Sequence, residues 1–412
     1  MLNITNNTKE QFHFLNSNWS LQKKINNLKE SCISNFSNED LKEIFVKIQD
    51  TLLKREFVSL VGRKRNINYK YFLLYTLQDN DPKVVIQGIR ALLCFKDIEI
   101  NRSLEQLLEH PNEMVREYLN VVFGKNKNSN KKNTGYKINE KIKNVIVQGN
   151  TVDIMKKVSD NSVHLTFTSP PYYNARDYSI YQSYEEYLDF LFQVFKEIHR
   201  ITQEGRFFII NTSPILIPRA GRHVSSKRYP IPFDIHKYVV DAGFECVDDI
   251  IWVKPEASVK NRNGGFQQHR KPLAYKPNTI TEYIMVYRKK TSKLIDWNIK
   301  QYEECIVNQS KVLNDFETSN LWHIDPRSDK VHSAIFPDEL CKRIISFYSY
   351  VGDIVFDPFA GSGTFGKVAI ENKRNCFLTE FNESYFSRIK EKLNGLFAHD
   401  IRYIKYNDFL NL

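Results

Sequence analysis

From about residue 137 to the end, short apolar runs alternate with amphipathic stretches, and this alternation limits the fold more than any other feature of the chain. "NVIVQ", "SVHLTF", "GRFFIINTS", "DDIIWV", "TEYIMVYRKK", "GDIVFD" and "RNCFLTEF" read as strands. "YEEYLDFLFQVFKEIHRI", "FDIHKYVVDAG", "PDELCKRIISFYS", "GTFGKVAIENK" and "NESYFSRIKEKL" read as helices set among them. The order predicts an α/β domain, a mainly parallel sheet with helices on both faces. Ligands of such sheets sit beyond the carboxyl ends of the strands.

Residues 1–123 lack this alternation and read as a helical domain. "SNEDLKEIFVKIQDTLL" is one expected helix, beginning after a Ser-Asn pair. "DPKVVIQGIRALLCF" and "HPNEMVREYLNVVF" resemble each other, each with a Pro near the helix start and an Arg on the polar side. They read either as a pair of HEAT-type repeats or as two unrelated amphipathic helices. Between the two regions, "GKNKNSNKKNTGY" (124–136) is polar and Lys/Asn-rich, the composition of a flexible linker.

The length of 412 residues allows two or three domains. No apolar run is long enough to span a bilayer, and "MLNITNNTKEQFHF" has no signal core, so a cytoplasmic protein is expected. Cys32, Cys94, Cys246, Cys305, Cys341 and Cys376 are scattered singly, which argues for reduced, mostly buried thiols and against a zinc knuckle or a disulfide framework, and no metal is expected. The net charge of +11 favours a polyanionic partner or marks a merely basic surface. Abundant Lys, Asn and Ile point to an AT-rich bacterial genome.

Two strand ends carry unusual chemistry. In "VFDPFAGSGTFG" (355–366), Asp357 closes a strand, and Gly361 and Gly363 permit a tight turn at the start of a helix. Glu380 closes the next strand, where a carboxylate can accept hydrogen bonds from ribose hydroxyls. In "TSPPYY" (168–173), Pro170 and Pro171 stiffen the chain and leave carbonyl oxygens free of local donors. Ser169 adds a hydroxyl, and Tyr172 a flat face for a flipped base. Alone, this stretch reads equally well as a structural turn.

"TSPPYY" followed far downstream by "DPFAGSGT" resembles the β-class amino-methylating DNA methyltransferases, in which the catalytic motif precedes the cofactor motif. The resemblance runs through "VIVQGNTVDIMKKVSDNSVHLTFTSPPYYNARDY", "IIWVKP", "TEYIMVYRK", "LWHI" and "HSAIFPDELCKRIISFYSYVGDIVFDPFAGSGT", about residues 143–393. It implies a Rossmann-like S-adenosylmethionine-dependent methyltransferase sheet over 137–412. Ser169 and the Pro170 carbonyl would hold the exocyclic amine of an extruded base, Pro171 would shape the loop, and Tyr172 would stack. Asp357, Pro358, Phe359, Gly361, Ser362, Gly363 and Thr364 would surround the cofactor's methionine part. Glu380 would take the ribose and Phe381 the adenine, with Asn382, Thr168, Phe336 and Pro337 beside them and His332 and Ser333 near. Gly149-Asn150 replaces the family's Gly-Asp, leaving the Asn150 carbonyl to accept from the adenine amine without charge. Members with Ser at the catalytic position act mostly on the cytosine 4-amino group, and the adenine 6-amino group is the alternative. A non-catalytic DNA-binding regulator with this fold is a third reading. The resemblance implies a partner, double-stranded DNA with a short recognition sequence, and a separate restriction endonuclease.

Two basic loops suit DNA. Residues 214–232 hold Arg219, Arg222, Lys227 and Arg228. Residues 254–278 hold Lys260, Arg262, Arg270 and Lys271, with Gln267, Gln268 and His269 able to read base edges. By the resemblance, 289–320 is a further target-recognition region, and the helical domain shares in recognition or binds a partner.

Overall fold

The computed structural model describes all residues except 1–11, 35, 128–137, 174–180, 218–220, 222, 224–225, 259–271, 273–278, 313–317, 328–334, 395–400 and 412. The chain divides into two compact units, Met1–Lys131 and Lys132–Leu412. Among the described residues, no helix is long and apolar enough to cross a membrane.

The longer helices of the first unit are Leu21–Glu30, Asn38–Lys47, Thr51–Arg63, Pro82–Leu92, Ile98–Gln106 and Glu113–Lys127. They bury Leu28, Phe57, Val61, Val84, Ile89 and Leu119 in one core. The single helix expected over "SNEDLKEIFVKIQDTLL" is two helices. Asp50 breaks it, because its carboxylate accepts from Leu53 N (2.9 Å) and caps a new helix at Thr51. Asp81 caps Pro82–Leu92 in the same way, accepting from Lys83 N (2.8 Å) with Pro at the first position.

Among the described residues, the second unit is built on a sheet of nine strands. In chain order the strands of this unit are β1 (Val145–Gln148), β2 (Val163–Thr168), β3 (Thr202–Thr212), β4 (Ile215–Ile217), β5 (Lys227–Tyr229), β6 (Phe244–Val253), β7 (Thr281–Lys289), β8 (Leu321–His323), β9 (Ile354–Asp357), β10 (Asn375–Glu380) and β11 (Arg402–Lys405). The large sheet has the order β11-β1-β10-β9-β2-β3-β7-β6-β8, and β4 and β5 form a separate hairpin. Every pairing in the large sheet is parallel except those of β7, which runs against both β3 and β6.

Successive residues of the central strands serve opposite faces. Ile354 and Phe356 join Leu191, Phe195 and Ile198 of helix Tyr184–Ile201 on one face. Val355 joins Leu340 and Ile344 of helix Asp338–Tyr348, and Val368 of helix Thr364–Glu371, on the other. Burial on both faces is why these strands are continuously apolar. The thiols depart from expectation: only Cys341 and Cys376 are buried, while Cys32, Cys94, Cys246 and Cys305 are exposed. Cys246 lies on the part of β6 that runs beyond β8, where the strand is a solvent-facing sheet edge.

At the strand starts, opposite the expected ligand edge, a buried charge cluster locks the sheet. Arg206 is paired with Asp353 and donates through Nε to the His164 carbonyl (3.1 Å). Tyr302 donates to Asp353 Oδ1 (2.6 Å), and His164 Nδ1 accepts from Ile354 N (3.1 Å). Burial pushes the Asp353 carboxyl up, but Arg206, with the hydrogen bonds from Tyr302 and the Tyr350 amide, outweighs it and holds the group below the usual range. Burial lowers His164 to about 4, so it is neutral. Nearby, Lys293 pairs with Glu204 (2.6 Å), and Asn298 Nδ2 donates to the Glu204 carbonyl (2.9 Å). Lys293, Asn298 and Tyr302 are thus tied to the edge of the sheet away from the strand ends. Residues 313–317 of the expected recognition region over 289–320 lie outside the described residues.

Arg206→Met leaves the Asp353 charge buried beside a neutral imidazole. It should destabilise the second unit by about 3–5 kcal/mol in urea unfolding. A loss under about 1 kcal/mol would mean the pair contributes little.

Candidate active site

Parallel pairing puts the carboxyl ends of β1, β10, β9, β2 and β3 at one edge of the sheet. β9 and β2 are neighbours, so "TSPPYY" and "DPFAGSGT" emerge side by side. One hydrogen bond joins them: Thr168 Oγ1 donates to Asp357 Oδ1 (2.7 Å), fully buried. The same Asp357 oxygen accepts from Phe359 N (3.0 Å), which turns the chain sharply after the strand. Gly361 and Gly363 then take φ of 52° and 71°. A Cβ at Gly363 would also meet Ile389 Cγ2 at 2.9 Å, so both backbone conformation and space require glycine there.

These ends open a cavity of about 400 Å³. Ser169, Pro170, Pro171 and Tyr172 line one part of it, and Asp357, Pro358, Phe359, Gly361, Ser362 and Thr364 another. Asn150, Phe336, Glu380, Phe381 and Asn382 complete the expected set. Thr168 and Gly363 lie behind this lining, and Pro337 lines a shallow neighbouring depression with Arg327 and Asp338. Of the expected DNA-contacting residues, Lys227 and Arg228 are exposed on β5. Arg219, Arg222, Lys260, Arg262, Gln267, Gln268, His269, Arg270 and Lys271 lie outside the described residues, as do His332 and Ser333.

Glu380 is buried, and its two oxygens accept from Gly361 N and Asn382 N, both at 2.8 Å. Each oxygen keeps a lone pair for a further donor. Burial raises its pKa, and the backbone donors only partly offset this. Phe381, next in the chain, is 72% exposed at the cavity, and Phe336 stacks on Phe167 with centroids 4.6 Å apart. A carboxylate with spare acceptors, a glycine turn and an open aromatic face suit the ribose, methionine and adenine parts of S-adenosylmethionine. Asn150 lines the cavity, and its Oδ1 also accepts from Val152 N (2.9 Å) as the cap of helix Thr151–Met155.

Tyr173, which follows Tyr172, belongs to an aromatic cluster. The Tyr173 ring lies 4.9 Å from Tyr229 of β5 and 5.2 Å from Tyr184, whose hydroxyl donates to Asp234 Oδ2 (2.8 Å). The basic hairpin β4–β5 is therefore seated directly beside the catalytic-type loop. The sequence reading missed Asn211, Trp252, Lys254 and Glu282, all of which line the cavity. Each is a single residue at or just past a strand end, and only the strand order shows that those ends share one edge.

Asp357 makes the site sensitive to pH. Burial, with a smaller contribution from Glu380, raises its pKa to about 7 against the lowering effect of its hydrogen bonds. The unfolded carboxyl titrates near 3.9. The folded state therefore holds the proton more tightly, and stability falls as pH rises from about 4 through 7. Asp357→Asn removes that titration, so the ligand-free variant should gain stability relative to wild type across this window. Urea midpoints at each pH measure it, and a difference that stays constant with pH would contradict the assignment.

The N6_N4_Mtase family, described as DNA methylase, matches residues 163–391, more than half of the chain. The Type II beta methyltransferase M.BslI of Bacillus sp. (strain NEB-606) is 27% identical over 266 residues, covering 61% of this chain and only 28% of that protein. The orphan methyltransferase M.BamHII of Bacillus amyloliquefaciens is 28% identical over 269 residues, covering 58% of this chain and 92% of that one. Among solved structures, TTHA0409 of Thermus thermophilus, a candidate DNA modification methylase complexed with S-adenosyl-L-methionine, shares the fold. Its TM-score is 0.51 at 24% identity over 63% of this chain and 98% of that one. The family match starts at the first residue of β2 and ends within helix Glu383–Asn394, so it contains both strand ends that form the cavity. The chain belongs to the amino-methylating DNA methylase family.

Proposed function

We propose that the chain is a site-specific DNA methyltransferase that uses S-adenosylmethionine to methylate the exocyclic 4-amino group of an extruded cytosine. The observation that carries this reading is the shared cavity into which β2 delivers Ser169-Pro170-Pro171-Tyr172 and β9 and β10 deliver the glycine turn and Glu380. S-adenosylmethionine, when bound, supplies an electrophilic methyl group. An exocyclic amine is a weak nucleophile, since its lone pair is delocalised into the ring. Ser169 and the Pro170 carbonyl bind that amine so that the lone pair can turn out of the ring plane, while Tyr172 stacks on the base. Glu380 and Phe381 bind the ribose and adenine ends of the donor. Rate then comes from positioning and fixed dipoles, with no covalent enzyme intermediate.

Cytosine is preferred on the Ser at position 169, and adenine is the alternative within the same chemistry. The type II relatives favour a modification enzyme working beside a separate endonuclease in the cytoplasm, where its DNA is. Lys227 and Arg228 on the hairpin, with the basic loops over 214–232 and 254–278, supply phosphate contacts. The first unit, whose helices read either as HEAT-type repeats or as unrelated amphipathic helices, shares in site recognition or binds a partner.

Ser169→Ala should leave DNA binding within about twofold of wild type and lower transfer of labelled methyl to DNA by about 100-fold or more. Single-molecule sequencing of DNA from a methylation-free host expressing the chain identifies the base and its context. No modified base in that DNA would remove the reading, and modified adenine would select the alternative. Removing residues 1–131 should broaden the set of modified sites, and an unchanged set would take the first unit out of recognition.

A further inference from the structure

Asn211 lies at the next rung beyond the observed pairing of β2 with β3. Phe167 pairs with Ile209 and Thr168 with Ile210, so Asn211 follows in register with Ser169. Its side chain is 2% exposed yet lines the same cavity as Ser169. Its Nδ2 donates to Glu282 Oε2, and Glu282 Oε1 is paired with Lys254. Lys254 Nζ lies 4.6 Å from the centre of the Trp252 ring, so the lysine is itself held in place. A carboxylate accepts only, so Glu282 dictates which end of the amide faces it. The Asn211 carbonyl oxygen is left buried with no hydrogen-bond partner among the described residues. Ser169 does not donate to it.

A buried acceptor kept in a fixed direction and left unpaired calls for a donor from a ligand. The cavity is read above as the seat of an extruded base, whose exocyclic amine carries N–H donors. We infer that Asn211, oriented by Glu282 and Lys254, accepts a hydrogen bond from the target amine and rejects bases that carry a keto oxygen at that position. This rests on the proposed function and assigns part of its base selectivity. An amine satisfies the oxygen, whereas a keto group would set two acceptors against each other.

The test uses the full chain with S-adenosylhomocysteine and the modified site mapped by sequencing. Two duplexes carry that site and differ only at the target, cytosine or uracil (adenine or hypoxanthine if adenine is the mapped base). The opposing base is removed from both, so that pairing cost does not enter. Wild type should bind the amino duplex roughly tenfold more tightly than the keto duplex. Asn211→Leu should bring that ratio close to one, with cofactor affinity by calorimetry and melting temperature unchanged. Glu282→Gln no longer dictates the amide's direction and should reduce the ratio by about threefold or more, which keeps the inference testable should the leucine variant misfold. A wild type without the preference, or a folded variant that retains it in full, overturns the inference. Absence of any methyl transfer by wild type would instead remove the proposed function, and the two failures are read from different measurements.

Discussion

The buried hydrogen bond from Thr168 to Asp357 joins two chain segments 189 residues apart and sets the geometry of the site. It is possible only because β2 and β9 are parallel neighbours, so their carboxyl ends leave the sheet together. Each strand then turns by a different device. The proline pair stiffens the first exit, and the second bends through Phe359 N on Asp357 and two left-handed glycines. A carboxylate with a pKa of about 7 at this junction is the electrostatic consequence of closing it off from water.

The reversed strand β7 extends the site. In a wholly parallel sheet, the start of β7 would lie at the far edge. Because β7 runs against its neighbours, its second residue, Glu282, arrives where β3 and β6 end. Asn211 near the end of β3 and Lys254 just past the end of β6, two strands that run the same way, therefore meet Glu282 at the start of the reversed β7. The cavity gains a polar side away from the glycine turn, where a base would lie.

Much of the second unit was legible in the sequence because its strands are buried on both faces and its helices are long. Helix Tyr184–Ile201 follows from its apolar period, with Ser183 as cap. The strand-end motifs were legible because glycine, proline and acid clusters have few other uses at such positions. The Asp50 break was not, since the apolar period continues through it and only a local cap divides the helix. Strands β8 and β11 are three and four residues long and depend on neighbours to exist. The roles of Asn211 and Glu282 were not legible either, because pairing across β7 cannot be inferred from separate apolar runs. Asn150 was read for its chemistry alone, and its use as a helix cap depends on where the short helix Thr151–Met155 begins.

The two edges of the sheet treat buried polar groups in opposite ways. At the strand starts, Asp353 receives Arg206, Tyr302 and the Tyr350 amide, and the stretch after β7 is tied down beside it. Paired in this way, the buried carboxylate is committed to holding the sheet. At the strand ends, Glu380 keeps spare lone pairs and Asn211 keeps a whole carbonyl oxygen. Leaving such groups open opposes folding, because water satisfies them in the unfolded chain. The more heavily paired edge provides stability against which the open edge can persist. It also keeps the open groups from collapsing onto one another, so that they remain directed at whatever enters between them.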